Sequence, residues 1–96
     1  MSDDLDRAAD LLLNRVGHWS AAQWAQRDRA EKVFALVQRL ADLAADAESR
    51  QPRAVPRLAD VVLPDQLRVM VRDLRQAPQA QRTDAKTAID TVRAVL

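Results

Sequence analysis

The chain has no cysteine, a single glycine and a single histidine. Without cysteine, disulfides, thiolate nucleophiles and cysteine-ligated metals are excluded. One glycine rules out a glycine-rich phosphate loop and a hydrolase nucleophile elbow, which needs glycines flanking its serine. Metal sites in helical bundles draw histidines and glutamates from several helices, which His18 with two glutamates does not supply. We therefore expect a non-enzymatic protein with no catalytic residue, metal or cofactor, and we interpret His18 as a turn residue.

Long apolar runs are also missing. No stretch approaches the roughly 18 apolar residues of a membrane span, and the acidic start MSDDLDR lacks the basic and apolar parts of a signal peptide. We expect a cytoplasmic protein with no membrane partner. The 96 residues fit one domain covering 1–96. Its apolar content includes many alanines and only three aromatic residues, so the core is modest and self-association would supplement it.

The longest periodic segment runs from Asp28 to Glu48. Its apolar residues recur at steps of three and four, as on one face of a helix, with Phe34 and Leu40 in the stripe. No glycine or proline interrupts the segment, and Asp28 followed by Glu31 predicts an N-terminal capping box. The sequence therefore predicts a long central helix against which the other elements pack.

Two helical elements are predicted before the central helix. The first runs to about Val16, with Ser2 or Asp3 as its N-cap and Gly17 as its C-cap. Ser20 and Gln23 predict a second capping box. Whether residues 21–27 form a separate turn or join the central helix stays open.

Two further helices are predicted after a proline-containing break at residues 49–57. Val55 and Leu58 are expected to turn inward there. Residues 58–63 are interpreted as a helical turn or an extended apolar lead-in. Pro64 suits the first turn of a third helix that Pro78 ends, and Thr83 is expected to cap the last helix. The fold class that follows is an all-α, single-domain bundle of about four amphipathic helices.

Two tryptophans lie five residues apart near the predicted corner. Trp19 and Trp24 close the end of the core in one interpretation. In the other they anchor a partner protein, because tryptophan is enriched at binding hot spots. Residues 61–63 have the same two alternatives, a lid on the bundle or, if exposed, a second partner site.

Positive charge is concentrated in the second half of the chain. Residues 1–48 hold six basic and nine acidic side chains, whereas residues 49–82 hold seven arginines and three aspartates. Arg68, Arg72 and Arg75 recur at spacings of four and three on the third helix. With the arginines at positions 50, 53, 57 and 82 they form a candidate basic surface, which is a solvated face, a contact for an acidic protein, or a nucleic-acid contact.

The hypothesis that these patterns favour is a small helical protein–protein interaction module, binding itself or a larger partner. The partner-binding candidates are Trp19, Trp24, Arg68, Arg72 and Arg75. The alternative is a nucleic-acid-binding regulator that uses the arginine face. Against it stand the long proline-containing link before the third helix and the lack of interleaved aromatics for base stacking.

Overall fold

A computed structural model describes residues 4–96, so the predicted N-cap at Ser2 or Asp3 lies outside the described residues. This part of the chain is all-α and contains no strand, which confirms the predicted fold class. The helices are α1 (Asp4–Val16), α2 (Ala21–Trp24), α3 (Arg29–Ala47), α4 (Leu63–Leu74) and α5 (Gln79–Ala94), with a 3-10 turn at Asp60–Val62. The short α2 is separate from α3, which answers the question left open by the sequence.

The four long helices form a closed cycle. The main contacts are α3 with α4, α3 with α5, α1 with α5 and α1 with α4. Asp6 near the start of α1 pairs with Arg75 just after α4, and Gly17 beyond the end of α1 lies against the Arg68 side chain, so α1 and α4 are antiparallel. Gln81 of α5 bonds to Asp46 at the end of α3, so these two helices are antiparallel as well.

The core lies along α3, as the periodicity predicts. Leu40, Val33 and Val37 of this helix are fully buried. They pack with Leu5, Leu12 and Val16 of α1, Leu63, Leu67, Val71 and Leu74 of α4, and Ala85 and Ile89 of α5. Phe34 is half-buried at the edge of this core, where the guanidinium of Arg57 lies 5.0 Å from its ring centroid.

Residues 48–59 cross from the end of α3 back to the start of α4 as an irregular segment. The Gln38 side chain holds this crossover segment on α3, since its Oε1 accepts from the Val55 amide at 2.8 Å and its Nε2 donates to the Arg53 carbonyl at 3.0 Å. Gln66 of α4 donates to the Pro56 carbonyl at 3.1 Å. Two glutamines therefore hold the segment over the junction of α3 and α4.

One predicted capping box and one predicted cap are wrong. Asp28 holds the N-cap position of α3, but its side chain makes no cap bond, and the backbone is left-handed at Arg27 (φ 44°) and at Asp28 (φ 41°). The last helix begins at Gln79, four residues before Thr83, with Pro78 at the cap position. Thr83 is therefore inside α5, where its hydroxyl accepts a bond from the Gln79 side chain at 3.1 Å.

The Ser20–Gln23 capping box is confirmed, with both reciprocal bonds present. Gly17 follows the end of α1 as predicted, but not in a left-handed conformation. A Cβ at Gly17 would lie 2.6 Å from the Leu13 carbonyl oxygen, so close backbone packing is what requires glycine there. Leu58 does not turn inward, since half of its surface is exposed, whereas Val55 packs against the core.

Candidate protein-binding surfaces

The two tryptophans meet at the corner between α1 and α3. Their rings contact edge to face, with centroids 4.9 Å apart and planes at 75°. Trp24 is 1% exposed and belongs to the core, and it supports the half-buried Trp19. The Arg29 guanidinium lies 4.7 Å from the Trp19 ring centroid. Of this predicted pair, Trp19 is the one that reaches the surface of the free protein.

Exposed aliphatic side chains lie on the segment next to this corner. Leu58 and Val61 are 50% and 55% exposed, and the 3-10 turn that contains Val61 contacts α2. Arg57 fixes the local conformation, because its guanidinium bonds to the Leu58 carbonyl at 3.0 Å and to Asp60 at 2.7 Å. We call the surface made by Trp19, Leu58 and Val61, with Arg29 and Arg57 beside them, the end surface.

Part of the end surface consists of residues that the sequence predicts as partner-binding. Trp19 was among the predicted partner-binding residues, and Val61 meets the stated condition of exposure for a second partner site. The alternative prediction, that residues 61–63 form a lid on the bundle, holds for only part of this segment. Leu63 is fully buried in the core and Val62 is partly buried, whereas Val61 is exposed. The sequence predicts an inward Leu58, which is wrong; this residue lies outside the helices, so no periodic pattern indicates the direction of its side chain.

The predicted arginines, two in α4 and Arg75 just after it, line a shallow groove between α1 and α4. This α1/α4 groove has a volume of about 200 Å³ and is lined by Asp6, Ala9, Asp10, Leu13, Arg68, Val71, Arg72 and Arg75. Arg75 pairs with Asp6 at 2.9 Å and Arg68 with Asp65 at 2.8 Å. Within residues 4–96 the Arg72 side chain has no ion pair. The structure thus brings Arg68, Arg72 and Arg75 together in one groove. The paired carboxylates offset the charge of Arg68 and Arg75.

A second groove opens on the other side of α4, where the crossover segment, α3 and α4 meet. This α3/α4 groove has a volume of about 230 Å³, and the apolar part of its lining is Ala41, Ala44, Ala45, Ala54, Val55, Pro56 and Met70. Arg50, Arg53 and Asp73 complete it. Arg50 and Arg53 are therefore separated from the arginines of the α1/α4 groove. The sequence gives no signal of this groove, because its walls come from three separate segments, α3, the crossover segment and α4.

Histidine, aspartate and glutamate side chains are the groups in this chain that could hold a metal ion. Residues 4–96 contain no group of three or more histidine, aspartate or glutamate side chains placed to hold a metal ion. On α5, a hydrogen bond from the Lys86 ammonium at 2.7 Å lowers the pKa of Asp90 below its usual 3.8, with the charges of Lys86 and Arg93 adding to the effect. This ion pair lies on the helix surface and lines neither groove.

Comparison with protein-family models, with curated proteins and with solved structures gives no match for this chain. Within residues 4–96, no helix combines the length and the apolarity that crossing a bilayer requires.

Proposed function

We propose that this protein is a small, non-catalytic interaction module that binds another protein through its end surface. The observation that supports the proposal best is the exposure of Leu58 and Val61 on a turn held against the tryptophan corner. A half-buried tryptophan with arginines around it has the composition of a binding hot spot, and the exposed aliphatic side chains beside it add the apolar area that marks an interaction surface.

The energetics of this surface favour binding. Full burial of a leucine or valine side chain contributes about 1.5–3 kcal/mol, and Leu58 and Val61 still have about half of that burial to gain. The bonds from Arg57 to the Leu58 carbonyl and to Asp60 order the turn before a partner arrives. A partner therefore meets a preformed surface, which lowers the entropic cost of association.

The test compares two leucines of similar exposure. Leu58→Glu places a charge in the end surface, whereas Leu11→Glu makes the same change on α1, where the leucine is 46% exposed. Each immobilised variant, and the unmodified protein, is used to capture proteins from the native lysate with quantitative mass spectrometry. We expect one defined protein to be retained by the unmodified chain and by Leu11→Glu, and lost with Leu58→Glu. Equal retention by both variants would contradict the proposal.

Nucleic-acid binding through Arg68, Arg72 and Arg75 is the competing hypothesis. The ion pairs of Arg68 with Asp65 and of Arg75 with Asp6 count against it, because a phosphate contact by either of these two arginines would have to displace a carboxylate. Binding to duplex DNA at low salt, weakening steeply as salt is added, would favour it over the interaction module. No binding at low salt would remove it.

A further inference from the structure

The α3/α4 groove has a feature that the end surface lacks: unpaired charges of opposite sign on its two walls. Arg53 extends from the crossover segment and Asp73 from α4, and both line the groove. Within residues 4–96, neither side chain has an ion pair or a hydrogen bond. The two groups face one cleft but do not satisfy each other.

The groove between these charges is shallow and has both polar and apolar walls. Ala44 and Ala45 of α3 are buried at its floor, whereas Ala54 and Pro56 of the crossover segment are exposed and form its apolar rim. Met70 of α4 is half-buried there. Val69, which is 50% exposed, lies one helical turn before Asp73 and extends the apolar surface beyond the groove. The exposed Val69 thus makes the outer face of α4 a ridge, which we call the α4 ridge, beside the α3/α4 groove.

We infer that the occupant of this groove is a second copy of the same chain, related by a two-fold axis. In a two-fold contact one patch meets itself, so a self-complementary patch needs both partners of each pair on the same surface. The α3/α4 groove meets this requirement, since Arg53 of one copy faces Asp73 of the other and symmetry repeats the pair. The α4 ridge with Val69 then packs against the exposed Ala54 and Pro56 of the opposite groove.

This contact is independent of the end surface, because Leu58 and Val61 do not line the α3/α4 groove. The dimer would therefore leave two end surfaces free to bind a partner protein. It would also bury Val69 and Met70, which supplements a core of modest size.

Charge reversal gives a test with an internal check. Sedimentation equilibrium is measured for the unmodified chain, for Arg53→Asp, for Asp73→Arg and for an equal mixture of these two variants. We expect the unmodified chain to dimerise and each single variant to dimerise roughly tenfold to a hundredfold more weakly, since like charges then face each other. The mixture should recover the affinity, because one variant presents two acidic groups and the other two basic groups.

The matched control is Asp84→Arg, the same charge reversal at an exposed aspartate of α5 outside the groove. It should dimerise like the unmodified chain, and Leu58→Glu should do the same even if it loses the partner protein. Circular dichroism verifies that every variant is folded. A monomeric unmodified chain, single variants that dimerise normally, or a mixture no tighter than its components would each overturn the inference.

Discussion

Replacing Gln38 by alanine removes the main attachment between the crossover segment and α3. The Gln38 side chain accepts one hydrogen bond, from the Val55 amide at 2.8 Å, and donates to the Arg53 carbonyl at 3.0 Å. Its amide nitrogen also lies 2.9 Å from an Asp42 oxygen. Val55 is partly buried, so its amide has little access to replacement water. The substitution therefore leaves a backbone donor without an acceptor.

The expected cost follows from the two bonds to the segment. Each contributes about 1 kcal/mol net, so Gln38→Ala should lower the free energy of unfolding by about 2 kcal/mol. For a domain of this size, 1 kcal/mol corresponds to roughly 4–8 °C in the unfolding midpoint, which gives a decrease of roughly 8–16 °C. The alanine also gains helix propensity, a few tenths of a kcal/mol, which the control reproduces.

Denaturant unfolding and amide hydrogen exchange measure this prediction. The control is Gln79→Ala, which makes the same change on α5 and removes only surface side-chain bonds to Thr83 and Arg82. We expect less than about 0.5 kcal/mol for the control. The Val55 amide should exchange faster in Gln38→Ala and normally in Gln79→Ala. Equal stability of the two variants, with an unchanged exchange rate at Val55, would refute the attachment.

Three further predictions concern the helices. Leu40→Ala should cost about 2–5 kcal/mol by denaturant unfolding, because the side chain is fully buried, whereas Leu11→Ala on the α1 surface should cost less than about 1 kcal/mol; similar costs would contradict the core. Gly17→Ala should destabilise by about 1–3 kcal/mol, and a stabilised variant would show that its Cβ finds space. Since the pKa of Asp90 is lowered, its pairing stabilises the fold above pH 3.8 and this contribution disappears as the pH falls through the folded-state pKa. The stability difference between the unmodified chain and Lys86→Met should therefore shrink in acid, and a difference independent of pH would refute the pairing.

The helices and the core stripe were predictable because period and composition are local properties. The α3 stripe with Leu40, the break before α4 and the Ser20 capping box all depend on residues within a few positions of each other. The errors at Asp28 and Thr83 have a different origin. The last helix begins four residues before Thr83, so the position of that cap is wrong. At Asp28 the position is right, but the backbone there is left-handed and the side chain makes no cap bond.

The surfaces were only partly predictable, since they combine distant segments. The sequence placed Arg68, Arg72 and Arg75 on one helix face, but not the aspartates of α1 that neighbour them in the folded chain. The α3/α4 groove depends on how the crossover segment lies on two helices. Gln38, the residue that holds the segment there, looks like an ordinary polar residue of α3 in the sequence.

Amide hydrogen exchange of the protein with and without its captured partner tests the interaction module most directly. Our account predicts slower exchange on binding at residues 57–62 and 19–24, with the outer face of α5 unchanged. Protection confined to α5 or to the α1/α4 groove, with residues 57–62 exchanging as in the free chain, would contradict it.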